Sequence, residues 1–258
     1  MTITMAAQEL TQEYFLIAAR MTGLVFTAPV FSSLYVPNML KVAVIMVISL
    51  VLAPDMKILA MPSVLWALTL IIQFAIGALI GIILSVFLSV FDMAGQVVSY
   101  ELGLGLAITS NPALGESSSF LSEWQSLLAL FVFVVSGGLE LSVIALHASF
   151  QAIGLNVLVF PLSALRFVAG LMSSALTMTL LMAFPLLLAG LVVNLAVGIL
   201  SRAFPQMNAY FITLPVNLGV SLVVFAAMIP ILVGILPNFW NQAFTDISHL
   251  LALLEGKP

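Results

Sequence analysis

Four ionisable residues lie inside or at the edges of long apolar stretches: Arg20, Asp92, Glu101 and Glu140. Each costs roughly 2.5 to 3.5 kcal/mol at the centre of a bilayer on insertion scales. Such side chains either snorkel from a helix end to the membrane surface or face a partner or a water-filled path. The residue types alone leave both alternatives open.

His147 follows Glu140 by seven residues, or two turns on one helical face, so the pair could relay a proton. A structural histidine, buried or facing a loop, is the commoner explanation. The second histidine, His249, is distant, and the sequence contains no cysteine. The spacing therefore favours neither a metal site nor a disulfide, and we expect no metal and no cofactor.

The motifs of soluble and intramembrane enzymes are missing from the sequence. It contains no GxxxxGK[ST] phosphate loop, no GxSxG elbow, no HExxH helix and no aspartate pair spaced for intramembrane proteolysis. The six Lys and Arg residues are scattered singly, which argues against nucleic-acid binding. We expect a protein that is not an enzyme and that takes any transport energy from a gradient or another protein.

The elements that must position these residues are membrane helices. The chain has 258 residues, of which 63% are hydrophobic and 6% charged, and a mean hydropathy of +1.29. This is more apolar surface than one soluble core can bury, so lipid or partner helices must cover the rest. Gln8, Glu9, Gln12 and Glu13 near the start differ from a cleavable signal, and we expect no cleavage there. The composition predicts an all-α integral membrane protein with one membrane domain, residues 1–258.

Six apolar runs approach the roughly 20 residues that a helix needs to cross a hydrocarbon core about 30 Å thick. They are Phe15–Leu34, Leu40–Ala53, Val64–Phe91, Gln125–Leu146, Leu165–Leu188 and Phe211–Leu236. A shorter element is predicted at Gly95–Thr109. The run Leu186–Leu200 either extends the fifth run or begins a helix of its own.

Prolines predict where these runs end or break, because proline lacks the N–H of an internal helical hydrogen bond. Helix stops are expected at Pro112, Pro161, Pro205 and Pro237, and kinks or re-entrant breaks at Pro185, Pro215 and Pro230. Breaks are tolerated at membrane depth only when protein or a cavity surrounds them. We therefore expect broken, proline-kinked helices rather than a plain bundle.

Two stripes of small or polar residues recur at four-residue spacing, which allows helix backbones to approach closely. The first contains Gly77, Gly81, Ser85 and Ser89, and the second contains Gly190, Asn194 and Gly198. Asn194 could also hydrogen-bond to a neighbouring helix for roughly 1 kcal/mol or less. Both stripes could pack within this chain or against another subunit.

The segment from Glu101 to Pro112 is unusual because it is both apolar and rich in glycine. Its glycines disfavour a stiff helix, so its apolar side chains would sit on flexible backbone. The residues concerned are Gly103, Leu104, Gly105, Leu106 and Ile108, followed by the turn Asn111 and Pro112. The segment is either a soft loop that seals a pore or a surface connection between helices.

Three blocks of residues then resemble one family. The first has Arg20, Gly23, Pro29, Ser33, Pro37 and Lys41; the second has Ala94, Gly95, Gln96, Gly103, Asn111 and Pro112; the third runs from Asn194 through Gly198, Arg202, Pro205, Gln206 and Asn208 to Pro215. In this order they are similar to FliR, the family of flagellar type III export-gate subunits, and to its SctT relatives in injectisomes. The loop 113–123 departs from the family pattern.

The resemblance implies a fold in which a FliP-like helical part, about residues 1–164, is joined to a FliQ-like helical hairpin, about residues 165–258. It places the segment from Gly103 to Pro112 in the lumen as a plug. It also places Arg202, Pro205, Gln206 and Asn208 in the turn between the two C-terminal helices, where they fix the turn and bind neighbouring subunits. A simple turn at the membrane surface is the alternative for these four residues.

The same resemblance implies a function without catalysis: a core subunit of the export gate, in the channel through which unfolded flagellar proteins leave the cytoplasm. The implied partners are FliP-like and FliQ-like subunits, with FlhB-like and FlhA-like components, in the basal body at the bacterial inner membrane. The wording of residues 28–33 and 205–208 favours a flagellar system over an injectisome. The alternative function is an independent secondary transporter with Asp92, Glu101 or Glu140 as the coupling carboxylate, although the inverted repeat it would need is not visible.

Overall fold

The computed structural model describes residues 2–32, 36–52, 62–101, 120–155, 162–204 and 209–255. All regular structure in these ranges is helical, which confirms the all-α prediction. The helices are α1 Thr2–Thr27, α2 Pro29–Ser32, α3 Asn38–Leu52, α4 Ser63–Glu101, α5 Phe120–Val135, α6 Gly138–Ile153, α7 Leu162–Ala203 and α8 Ala209–Leu254.

Prolines mark the starts of three helices. Pro29 is the first residue of α2, and Pro37 and Pro62 directly precede α3 and α4. The fixed φ of proline suits the first turn, where its missing N–H has no helical partner anyway. These are the positions at which the sequence could place helix boundaries on a steric argument.

Three helices are long and apolar enough to cross a membrane: Val64–Tyr100 in α4, Leu162–Ala203 in α7 and Phe211–Leu254 in α8. They contain 37, 42 and 44 residues, so at ~1.5 Å per residue they are about 55 to 66 Å long. That is about twice the thickness of the hydrocarbon core. The chain is an integral membrane protein whose longest helices extend beyond the apolar layer.

The expected breaks at internal prolines do not occur. Pro185 lies inside α7, and Pro215, Pro230 and Pro237 lie inside α8. The predicted helix stop at Pro237 is therefore wrong. Each proline removes one hydrogen bond, but unwinding the helix in an apolar medium would expose several more backbone groups.

Glycine causes a break that the sequence analysis missed. The run Gln125–Leu146 is divided between α5 and α6, whose described parts are bent by 67°. The N-cap of α6 is Gly137 with φ 77° and ψ 18°, in the left-handed region. Two other uncertain boundaries are now fixed, because Gly95 belongs to α4 and the run Leu186–Leu200 extends α7.

The chain forms two compact units that do not follow chain order. Unit 1 contains Met1–Phe87, Gly137–Met172 and Trp240–Pro258, and unit 2 contains Leu88–Ser136 and Ser173–Phe239. In unit 1, α1 packs against α2 and α3. In unit 2, a core cluster of Val98, Ala183, Leu186 and Phe225 joins α4, α7 and α8.

Candidate functional site

The first feature of interest is the crossing of α1 and α4 in unit 1, where glycines bring the two backbones into contact. A Cβ added to Gly77 would overlap the carbonyl of Arg20, and one added to Gly23 would overlap the carbonyl of Phe74. A Cβ at Gly81 would collide with Thr27. Only glycine fits at these three positions with the present helix spacing.

Hydroxyl groups complete this crossing. The Thr27 Oγ1 lies 2.8 Å from its own helix's Gly23 carbonyl and 3.1 Å from the Ala78 carbonyl of α4. Ser85 donates in return to the Thr27 carbonyl. Within the predicted stripe, Gly77, Gly81 and Ser85 therefore meet α1 of the same chain, which is one of the two alternatives left open above. A role for Ser89 in packing stays a prediction.

Arg20 is fully buried at the same crossing. Its Nε donates to Gln73 Oε1 at 2.7 Å, its Nη1 to Ser149 Oγ at 3.0 Å and its Nη2 to the Gly154 carbonyl at 2.9 Å. The guanidinium carbon also lies 4.2 Å from the ring centroid of Phe150. One side chain of α1 thus joins α4 to the C-terminal end of α6.

The three acceptors of Arg20 are all uncharged. Burial lowers the pKa of Arg20 from 12.5 to about 9, so the guanidinium stays protonated at neutral pH. A buried cation is tolerated when hydrogen bonds and an aromatic face replace its hydration. Arg20 therefore neither snorkels nor faces a water-filled path, the two alternatives that the sequence suggested.

Gly154 ends α6 in a conformation that other residues rarely adopt, with φ 51° and ψ −175°. Its N–H bonds to the Phe150 carbonyl at 2.9 Å, and its own carbonyl accepts from Arg20. Gln73 Nε2 donates to the next carbonyl, that of Leu155, at 3.0 Å. The chain direction after α6 is fixed by a buried polar network.

The other ionisable residues show no catalytic arrangement in the described ranges. Asp92 accepts a hydrogen bond of 2.9 Å from Gln96, one turn away on α4. His147 Nε2 lies 3.1 Å from Gln151 Nε2, whereas Glu140 is exposed and no hydrogen bond joins it to the histidine in the described structure. No group of three metal-binding side chains occurs among the described residues.

The second feature is the α7–α8 pair in unit 2. Asn217 Nδ2 donates to Asn194 Oδ1 at 3.3 Å, and Leu186 shares a core cluster with Phe225. Because the numbers of paired residues rise on α7 as they fall on α8, the two helices are antiparallel. Trp124 of α5 contacts Phe225 edge-on, with ring centroids 5.8 Å apart.

The outer faces of this hairpin are apolar and uncovered. In the most apolar windows only 28% of α7 and 11% of α8 is buried, compared with 61% of α4. Exposed side chains include Leu180, Leu181, Phe184, Leu188, Leu191, Leu195, Ile199, Phe211, Leu222, Val223 and Ile231. A surface this large and apolar requires lipid or other helices to cover it.

The remaining predicted site residues divide into two groups. Arg202 is exposed in the last turn of α7, where a positive charge complements the helix dipole. Gly190 is buried, Asn194 and Gly198 are exposed, and a Cβ at Gly198 would enter open space. Outside the described residues lie Gly103, Leu104, Gly105, Leu106, Ile108, Asn111, Pro112, Pro205, Gln206 and Asn208.

Sequence reasoning missed the acceptors of Arg20 and the partner of Asn194. Gln73 was the available signal for the first, because it is a polar residue one turn before Gly77 inside an apolar run. Asn217 was the corresponding signal for the second, near the start of the last run. Ser149 and Gly154 gave no comparable signal, since neither is unusual at a helix end.

Comparison with known proteins agrees with these features. The sequence matches the family described as bacterial export proteins, family 1, over residues 11–243. The chain belongs to this family. Members similar to it include the flagellar biosynthetic protein FliR of Escherichia coli, 28% identical, and that of Pectobacterium carotovorum, 26% identical. Both alignments cover 93% of this chain and 91% of the relative.

A relative from a second system also matches. The surface presentation of antigens protein SpaR of Salmonella typhimurium is 27% identical over 80% of this chain and 78% of its own length. With the family match and the apolar helices, these similarities show a membrane-embedded subunit of a flagellar or type III export apparatus. They fit this function and not that of an independent transporter.

Proposed function

We propose that this family member is a non-enzymatic core subunit of the export gate and forms part of the channel for unfolded flagellar proteins. The observation that carries the proposal is the α7–α8 hairpin, whose helices are antiparallel, longer than the bilayer core and largely uncovered. Lipid tails can cover only about 30 Å of its length, or about half. Helices of other subunits then cover the remainder.

The partners proposed for this surface are FliP-like and FliQ-like subunits, with FlhB-like and FlhA-like components nearby, in the flagellar basal body at the bacterial inner membrane. The FliQ-like part, about residues 165–258, corresponds closely to α7 and α8, and the FliP-like part, about residues 1–164, to the helices before them. The exposed stripe of Asn194 and Gly198, with Arg202 beyond it, supports helix packing on the outer side of α7.

The glycine-rich segment between α4 and α5 is proposed as the plug of this channel. Its support is chemical: alternating glycines free the backbone, while Leu104, Leu106 and Ile108 supply apolar side chains that exclude water. Replacing these three residues with Ser should make the assembled gate leak small ions, because a hydrated plug no longer dewets the pore. Membrane conductance measures the leak, and unchanged conductance counts against the plug.

The hairpin surface is tested by making it polar. Leu191→Asn with Leu195→Asn should reduce recovery of FliP-like and FliQ-like subunits with the tagged chain at least about tenfold, because unpaired amides oppose apolar helix contacts. Leu→Met at both positions is the matched control and should keep recovery and flagellar export. Full recovery with the Asn pair, on a chain of normal helicity, would exclude this face as the subunit contact.

A further inference from the structure

The buried side of α7 in unit 2 follows the spacing of a coiled-coil seam. Its inward residues are separated alternately by four and three positions, a period of 3.5 residues. They are Thr179, Ala183, Leu186, Gly190, Val193 and Val197. Most are small and apolar, and each resembles the residue seven positions further along in size or polarity.

A seam of this kind does not determine its own register. Sliding α7 by seven residues, about 10 Å, replaces Ala183 by Gly190 and Leu186 by Val193 opposite the same part of α8. The apolar area buried by either arrangement is similar. Something other than hydrophobic pattern must select one alignment.

Asn217 supplies that selection. It is 5% exposed, its Nδ2 donates to Asn194, and its Oδ1 is buried without a hydrogen-bond partner. The amide therefore depends on this one bond. Losing the bond would leave the whole buried amide unpaired, which carries its full desolvation cost.

Shifted alignments offer Asn217 poorer partners. In the antiparallel pairing that places 194 opposite 217, a slide of seven residues brings either Leu187 or Ser201 opposite Asn217. Leu187 has no polar atom. Ser201 already donates its hydroxyl to the Gly198 carbonyl at 2.9 Å and lies in the last turn of α7.

We infer that the hydrogen bond between Asn194 and Asn217 fixes the register of α7 against α8. The pair is a specificity device: polar residues within an apolar helix interface lose stability relative to leucine but penalise every other alignment. The register decides which side chains the hairpin turns outward. The inference concerns the chain itself and does not depend on the proposed function.

Cross-linking tests the register directly, because the chain has no cysteine of its own. Leu187→Cys with Val224→Cys reports the observed register, since both residues pack against the Leu186–Phe225 cluster. Leu187→Cys with Ile231→Cys, and Leu180→Cys with Val224→Cys, report slides of seven residues in the two directions. The full chain is oxidised in membranes, and intrachain disulfides are identified by mass spectrometry of peptides.

With both asparagines present, we expect only the Leu187–Val224 pair to form a disulfide. Combining Asn194→Leu with Asn217→Leu should raise the ratio of shifted to native disulfides roughly tenfold, because the penalty on the shifted registers is gone. Ser221→Ala is the matched control: it removes a different buried polar group from the same face of α8 and should keep the native pair alone.

Exclusive native disulfides in the double leucine variant would overturn the inference. If that variant does not fold, Asn194→Ala gives the same reading, since Asn194 is exposed and the change removes only the acceptor. Shifted disulfides are again expected, and native disulfides alone would contradict the register role. Because no partner subunit or export assay enters the measurement, its failure is separate from a failure of the proposed function.

Discussion

The crossing of α1 and α4 and the hairpin of α7 and α8 solve the problem of an apolar environment in different ways. At the crossing, glycines close the gap between backbones, and Arg20 finds three acceptors and an aromatic ring within the same chain. In the hairpin, most of the apolar surface points outward and is uncovered. The first region is completed by this chain, and the second requires other molecules.

The difference teaches where a substitution acts. Changes at the crossing should alter the stability of the chain itself, because its groups have no substitute partners. Changes on the outer hairpin should leave the chain folded and alter what binds to it. Three pairs of variants make this contrast measurable in protein extracted with mild detergent.

The largest effect is expected from adding one methyl group at the crossing. Gly77→Ala should destabilise the chain by about 3 kcal/mol, because the Cβ overlaps the Arg20 backbone and the helices must separate. Gly198→Ala is the matched change on the hairpin, where the Cβ meets open space. It should stabilise α7 by about 0.5 to 1 kcal/mol. Thermal unfolding followed by circular dichroism measures both, and equal effects would remove the contrast.

Removing the buried guanidinium should have the next largest effect. Arg20→Met should cost about 2 to 3 kcal/mol, because it leaves buried acceptors on Gln73, Ser149 and Gly154 without their donor. Arg202→Met, at the exposed end of α7, should change stability by less than about 1 kcal/mol. Chemical denaturation compares the two, and a tolerant Arg20→Met variant would show that the network contributes little.

The smallest contrast is between the two glycines with positive φ that flank α6. Gly154→Ala should cost about 1 to 3 kcal/mol, because φ 51° with ψ −175° is a region almost restricted to glycine. Gly137→Ala should cost about 1 kcal/mol, because φ 77° with ψ 18° is ordinary left-handed backbone. Both sites have room for a Cβ, so backbone strain alone sets the order. A reversed order of melting temperatures would contradict this explanation.

How much of this could be predicted follows the range of the interactions. Helix starts at Pro29, Pro37 and Pro62 depend on neighbouring atoms, and local sterics predicted them. The continuation of α8 through Pro237 depends on the apolar surroundings of the helix, which outweigh one missing hydrogen bond. Local rules therefore failed there.

The buried network depends on contacts between distant parts of the chain. Arg20 meets Gln73 and Ser149 across 53 and 129 intervening positions, and residue types give no measure of such pairing. Periodicity showed that Gly77 and Gly81 share a helical face, but it did not distinguish α1 from another subunit as the neighbour. Similarly, Asn194 was recognised as a donor or acceptor while its partner Asn217 was not.

The central claim is that the hairpin of this export protein is completed by other subunits. The most direct test expresses the tagged chain alone and together with FliP-like and FliQ-like proteins, then compares the mass and thermal stability of the purified material. The account predicts a heavier complex with a higher melting temperature on co-expression. A monodisperse monomer of the same mass and stability in both cases, moving a small solute in reconstituted vesicles, would contradict it.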